Sequence, residues 1–517
     1  MRSERVGIID IGSNSVIDIG SNSVRLVVYE RVGEEAYRAI DESKESARLS
    51  AAILPDGSIA QADIERLARI LKEFRMLCHV HAAETVRAVA TAAIRNATNG
   101  RQAAEQLHLL TGIPIEILSG EEEARLGFIG MINSIDVKDG FLIDIGGGST
   151  EISLFRNRTL IRSVSLPFGA VNTAKTYTDQ GNASKDDLKR IRDMVLASVK
   201  DEKWLAGHPD LPLIGLGGTI RSLCKIDQKK KKYAFTQSHM YEIGKEGLNE
   251  LSDWLSSLDV QQRTKVEGLS GDRADIIVPG LIILHTLFSH IRASRCIVSG
   301  AGLRDGVFYE TAFPDKPVVA DVLADSVGNL LALHPAVFRP HVEQVARLAA
   351  KLFEDLSLET VFGRRALDLL QTAAMLYRIG VTVHFYNYNK HTFYLMVHSR
   401  LDGLSHRETV LCALIASYKS KSKARSMMLP YKDLLGDTDA DLVYRLGSLL
   451  QLAISLDRSE TQPLQEIRAN VVKQDLAISW TSRHDPAIEL REVERAAGEF
   501  KKGWGLRIRM TPATFSR

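Results

Sequence analysis

Cysteine is scarce in this chain: four residues in 517 (Cys78, Cys224, Cys296 and Cys412), none of them in a CxxC pair. That excludes a zinc ribbon or a disulfide scaffold and fits a reducing compartment. Long apolar runs are missing as well. The longest, Ile276 to Phe288, is too short to span a bilayer and contains Pro279 and His285, so no stable membrane insertion is expected. Near the N-terminus Arg2 and Arg5 precede an apolar stretch that Asp10 and Asp18 interrupt, which makes a poor signal peptide. An excess of one charge is also absent. The 66 Lys and Arg residues against 64 Asp and Glu leave a formal +2, and no global field announces nucleic acid or a membrane surface. The expectation is a cytoplasmic protein of ordinary globular composition, in which a polyanion would have to be met by a local basic patch.

What the chain does have is repetition. Ile9 to Val16 reads IDIGSNSV, and Ile17 to Val24 reads IDIGSNSV again. A related theme returns as FLIDIGGGSTEISLF, from Phe141 to Phe155: strand, glycine loop, strand. Between these lie an amphipathic helical pattern over 61–80, short apolar strands at 86–90 and 115–118, and a helix from about Glu121. This alternation is the α/β signature, and two related halves meeting at a cleft are expected. From about Asp315 helical periodicity dominates, up to Arg458. After Gln462 the pattern returns to strands at 466–472 and 476–480, a helix at 487–500 and a strand at 506–510. A length of 517 residues exceeds one hydrophobic core. Four domains are expected, at 1–138, 139–314, 315–461 and 462–517.

DIGGGSTE, Asp144 to Glu151, carries the strongest chemical signal. Gly146, Gly147 and Gly148 let backbone N–H groups turn toward an anion, and Ser149 and Thr150 add hydroxyls. Asp144 and Glu151, on either side of the loop, suit a hydrated Mg²⁺ beside a bound phosphate, since hard cations prefer oxygen ligands. A glycine hairpin would read the same way on its own, but the bracketing acids and the second, similar loop favour phosphate. In SGEEEARLGF, Ser119 and Glu122 form a capping box, which explains Glu121 and Glu122 but not Glu123. A carboxylate there, facing the loops, could activate a water. Arg95, just after the strand that ends at Thr91, reads either as a bidentate phosphate ligand or as a surface residue at a helix start. Lys229 to Lys232 reads as a solvated run or a polyanion contact. His341, His384, His391, His398 and His406 are too irregularly spaced for a metal site.

The motifs DIGSNSVRLVVYE, ATAAIRNA, ILSGEEEARLGF, DIGGGSTE, GLGGT, RADIIVPG and SGAGLRDGVF follow in order across residues 1 to about 312. Together they resemble the exopolyphosphatase/guanosine pentaphosphate phosphohydrolase family, a branch of the actin-like, sugar-kinase and Hsp70 superfamily. The resemblance implies two ribonuclease-H-like lobes, then an all-α HD-like domain and a small α/β appendage. It implies water-driven removal of a terminal phosphate with Mg²⁺ as cofactor, Glu123 as general base, and Asp144 and Glu151 as metal- and water-positioning acids. One phosphate loop would be Gly146, Gly147, Gly148 and Ser149. Arg95 and the glycines Gly217 and Gly218 of GLGGT complete the phosphate-binding set. The other loop is assigned to the second copy of the repeat, as Asp18, Gly20, Ser21, Asn22 and Ser23, because only that copy runs straight into a return strand. Residues 1 to about 14 then become a displaced extension, and the register that uses Asp10 to Ser15 competes. Where an HD helix would carry His followed by an acid, the chain has Tyr377 and Arg378, which argues for a binding or dimer-forming role there and against a metal centre. The expected substrate is inorganic polyphosphate. Guanosine pentaphosphate is the alternative, a superfamily kinase or a non-catalytic sensor are remoter ones, and a homodimer is the expected assembly.

Overall fold

The β-branched runs of the first half build two sheets of one design. The computed structural model describes residues 13–32 and 36–513. Strands β1 (Ser13–Ile19), β2 (Ser23–Val32), β3 (Ala36–Ser46), β4 (Thr85–Ala90) and β5 (Ile115–Ile117) lie in the order β3-β2-β1-β4-β5. The first three form an antiparallel meander, and β4 and β5 run parallel to β1. The second sheet holds β6 (Gly140–Ile145), β7 (Thr150–Arg156), β8 (Thr159–Leu166), β9 (Leu213–Leu216), β10 (Glu242–Gly244) and β11 (Arg295–Val298). Its order is β10-β11-β9-β6-β7-β8, again a meander beside parallel strands, closed by an antiparallel edge.

Both meanders turn in three or four residues. Ile19 pairs with Val24 across Gly20–Ser23, and Ile145 pairs with Thr150 across Gly146–Ser149. The loop of the first sheet is therefore the second IDIGSNSV copy. Ser13 to Val16 of the first copy continue the chain backwards as the start of β1, in the middle of the sheet, with Ser13 and Ser15 buried. The displaced extension is thus shorter than expected at its near end, since residues 13 and 14 are in the strand. Asp10 and the rest of that segment lie outside the described residues.

Alternation along the strands sorts the side chains by face. Ile17, Ile19, Leu26 and Val28 pack under the helix Gln61–Val80, whose Ile64, Leu67, Leu71 and Phe74 recur at helical spacing. The opposite face, Val16, Val27 and Val89, meets Leu126 and Ile129 of the helix Gly120–Ile132. The same helix turns Phe128, Met131 and Ile132 onto Leu142, Ile214 and Leu216 of the second sheet. One element is thus shared by both cores, and its N-terminal turn carries Glu123. The apolar run noted above becomes the helix Ile277–His290, almost wholly buried in the second core. Among the described residues no helix is long and apolar enough to cross a membrane. All four thiols are free and buried.

Contacts divide the chain into two compact units, 1–322 and 323–517. The second is helical through Ser455, built on Arg339–Asp355, Arg365–Leu376, His406–Ala416 and Asp439–Ser455. It ends in a three-stranded sheet, β12 (Leu464–Val472), β13 (Asp475–Ser482) and β14 (Arg507–Pro512), with the helix Ala487–Trp504 crossing between the last two strands. That helix packs on Asp439–Ser455, where the Trp504 indole donates to Ser448 Oγ at 3.1 Å.

Candidate active site

The two tight loops face each other across one cleft in the first unit. Each loop is held by its carbonyls from behind. In the first, Ser21 O accepts from Ser50 N (3.1 Å), and Asn22 O accepts from Ala47 N and Arg48 N (3.1 and 2.9 Å). In the second, Gly146 O accepts from Ala170 N (2.9 Å), and Gly147 O from Val171 N and Asn172 N (2.9 and 3.1 Å). The loop openings match too: Gly20 N donates to Ser23 O at 3.1 Å and Gly146 N to Ser149 O at 3.0 Å. In a planar trans peptide the C=O and the following N–H point opposite ways, so carbonyls drawn back mean amides pushed forward. Among the described residues the N–H groups of Ser21, Asn22, Gly147, Gly148 and Ser149 donate to no protein acceptor. Unspent amides in such number are rare in a folded chain and form an anion-binding nest.

Two aspartates stand at the strand ends before these loops. Asp18 and Asp144 line the cleft, and their carboxylates take part in no hydrogen bond or ion pair among the described residues. Burial raises the Asp18 carboxyl, while Arg304, Arg25 and Arg221 pull it back. Asp144 is pushed up to about 6, chiefly by burial, with the Asp18 charge adding and Arg221 opposing. Gly217, at φ +83°, presses against Asp144; a Cβ there would lie 2.5 Å from Asp144 Oδ1. Glu123 lines the same cleft and its Oε2 accepts from Arg95 Nη1 at 2.7 Å. Glu151 sits behind it, opposite Asp144 in the β6–β7 register, and accepts from Ser165 Oγ at 2.8 Å. Arg95 Nη2 lies 4.0 Å from Glu151, so one guanidinium bridges both glutamates. Burial and the Glu151 charge hold the Glu123 carboxyl well above the ordinary range, against the pull of Arg95. Burial and then Asp144 raise Glu151 likewise.

Of the residues singled out by sequence, Asp18, Gly20, Ser21, Asn22, Ser23, Glu123, Asp144, Gly146, Gly147, Ser149, Gly217 and Gly218 share this cleft. Gly148 borders a neighbouring cavity, and Arg95 and Glu151 form the layer behind Glu123. Sequence reasoning passed over four arginines that line the cleft: Arg25, Arg221, Arg273 and Arg304. Arg304 pairs with Glu42, but Arg25, Arg221 and Arg273 have no carboxylate partner among the described residues. Burial, followed by the charge of Arg25, lowers both Arg221 and Arg273 to about 10. Three of the four arginines stand inside quoted motifs (DIGSNSVRLVVYE, RADIIVPG, SGAGLRDGVF) and Arg221 lies two residues past GLGGT, so the signal was present as motif membership.

The other candidates lie elsewhere. In the lysine run, Lys230 pairs with Glu250 and Lys231 with Asp227. In the second unit His341 bonds Asp457 (2.7 Å) and the Tyr377 hydroxyl (2.5 Å), while Arg378 pairs with Glu460. Tyr377 thus occupies the His341 nitrogen that a metal would need. Among the described residues no group of three or more His, Cys, Asp or Glu side chains is placed to cage an ion.

Comparison with known proteins matches residues 27–313 to the model of the Ppx/GppA phosphatase family, and residues 325–492 to Ppx/GppA phosphatase, domain III. The first match begins just past the duplicated segment. Among solved structures, the Aquifex aeolicus member of the Ppx/GppA family is 27% identical with a TM-score of 0.51, covering 59% of this chain and 99% of that one. An exopolyphosphatase from Cytophaga hutchinsonii is 22% identical with a TM-score of 0.55, covering 59% and 100%, and shares the fold. The architecture is therefore that of two actin-like, ribonuclease-H-like lobes followed by an HD-like helical region and a small α/β appendage. The chain belongs to the Ppx/GppA phosphatase family and is an enzyme that hydrolyses phosphoanhydride bonds.

Proposed function

We propose that the protein is an exopolyphosphatase, releasing orthophosphate from the end of inorganic polyphosphate. One observation carries the reading: the cleft is lined by four residues with unspent loop amides, Ser21, Asn22, Gly147 and Ser149, and by three arginines without carboxylate partners. Such a surplus of donors is matched by a row of phosphoryl groups, of which the last sits between the loops and the next on the arginines. Glu123 accepts a proton from water as it attacks the terminal phosphorus. Its basicity, raised by burial and the Glu151 charge, suits this task. In the resting enzyme Arg95 holds Glu123, and Ser165 holds Glu151, so the two carboxylates have fixed orientations.

The oxygen donors also fit Mg²⁺. Asp18 and Asp144 are partly buried acids whose carboxylates have no protein partner among the described residues, and this ion takes one or two carboxylates and completes its shell with water and phosphate oxygens. Asp144 would hold it, with Asp18 opposite and Glu151 on the neighbouring strand, and when bound it neutralises charge on the phosphoryl oxygens.

The deciding experiment compares orthophosphate release from long-chain polyphosphate and from guanosine pentaphosphate, in magnesium, by wild type and Glu123→Gln. Faster turnover of polyphosphate, lost in the variant, is expected. Preference for the nucleotide would replace this substrate by the other, and no release from either would end the hydrolase reading.

A further inference from the structure

The two phosphate loops differ in one respect. In the first, both rear carbonyls are held by backbone amides. In the second there are three, and the backbone of the helix Ala170–Tyr177 reaches only those of Gly146 and Gly147. The third, Gly148 O, accepts instead from the side chain of Asn172, whose Nδ2 lies 3.0 Å away. That side chain is itself pinned, since its Oδ1 accepts from Gly169 N at 2.6 Å and Nδ2 also reaches Pro167 O at 3.4 Å. Gly169 makes room for this arrangement: a Cβ there would lie 2.5 Å from Gly146 O and 2.7 Å from Gly147 C.

We propose that Asn172 is a positioning residue for hydrolysis, aiming the Ser149 amide at the phosphoryl group by drawing back the Gly148 carbonyl. The two groups belong to one peptide unit, so rotation of one rotates the other. Without the Asn172 donor, Gly148 O is left to seek a partner, and turning it toward the cleft would place a carbonyl where the anion needs an N–H. The Ser149 hydroxyl, which supports Glu151, rides on the same unit. The inference rests on the phosphohydrolase reading of the cleft.

Asn172→Asp tests it with little change in shape. The variant keeps the acceptor for Gly169 N and loses the donor to Gly148 O; Asn172→Ala loses both. Turnover of a short polyphosphate is measured together with inhibition by orthovanadate, which mimics the five-coordinate phosphorus, and by orthophosphate, which does not. We expect both variants to lower kcat by about 10- to 100-fold, less than or comparable to removal of an oxyanion donor. Vanadate inhibition should weaken at least about tenfold more than orthophosphate inhibition, with Tm of the Asp variant close to wild type. Equal weakening of the two inhibitors would show a loss of anion binding in general and overturn the positioning role, as would wild-type kcat in either variant. Wild type that releases no phosphate would refute the functional reading instead, so the two failures are distinguishable.

Discussion

At the cleft floor the decisive quantity is the proton affinity of individual carboxyls. Glu123 must lose its proton to serve as a base, and burial raises its value, so hydrolysis should begin to fall with pH while still above the ordinary carboxylate range. A pH–rate profile of kcat/KM flat from pH 5 upward would contradict this. Replacing Glu123 by Gln should cost about 10²- to 10⁴-fold in kcat while polyphosphate still binds, measured by steady-state kinetics and a binding titration. Asp144 predicts a stability effect of definite sign. Its carboxyl goes from an ordinary 3.8 to about 6 on folding, so the folded state holds the proton more tightly. The penalty for burying it is absent below the ordinary value and grows as pH rises through about 6. Asp144→Asn should therefore stabilise the ligand-free protein by about 1–3 kcal/mol at pH 7–8, and the gain should close below about pH 4. Urea unfolding at both pH values checks it; equal gains would mean that ionisation is not the cause. The acids and glycine turns behind these predictions were legible in sequence, because DIGGGSTE and SGEEEA place them within a few residues of one another. The arginines and Asn172 were not. Their meaning lies in which partners they lack or reach, and five separate chain segments bring them to the cleft or to the loop behind it.

At the scale of elements, local signals did most of the work. The apolar stripe of 61–80 and the capping box at Ser119 fix their helices, with Ser119 Oγ accepting from Glu122 N at 3.1 Å as the motif requires. The course of Ser13 to Val16 was harder to read, since Ser-Asn-Ser is turn chemistry that the central sheet position overrides. Between β4 on one side and β2 on the other, those residues are drawn straight by two neighbours. The duplication predicts a clean deletion. Removing Ile9 to Val16 puts Arg5-Val6-Gly7-Ile8 where Ser13-Asn14-Ser15-Val16 now pair, and eight is even, so inward and outward faces are preserved. The shortened protein should keep wild-type kcat and a Tm within a few degrees. Loss of activity would show that the upstream copy contributes to the site.

For the whole molecule, the solved relatives set the expectation. The Aquifex aeolicus protein is matched over 99% of its length by 59% of this chain. Residues 1–322, the first compact unit, should therefore fold alone and cleave short polyphosphate with kcat within about tenfold of the full protein, since the cleft lies wholly inside it. An unfolded or inactive fragment would tie catalysis to the second unit. The HD-like region shows the opposite limit of sequence reading: the Tyr377–Arg378 departure was visible, but the closing of His341 onto Tyr377 and Asp457 depends on residues 36 and 116 positions away. The tandem IDIGSNSV carries a consequence for how such a chain changes length over generations. Added sequence has entered the sheet at the far end of β1 and not at its reacting end, so the strand behaves as a queue in which the last copy always holds the working place. Insertions of even length upstream of Ile17 leave Asp18 and its loop where they are and keep the faces of the residues they displace, whereas an odd one would turn the displaced residues' faces over.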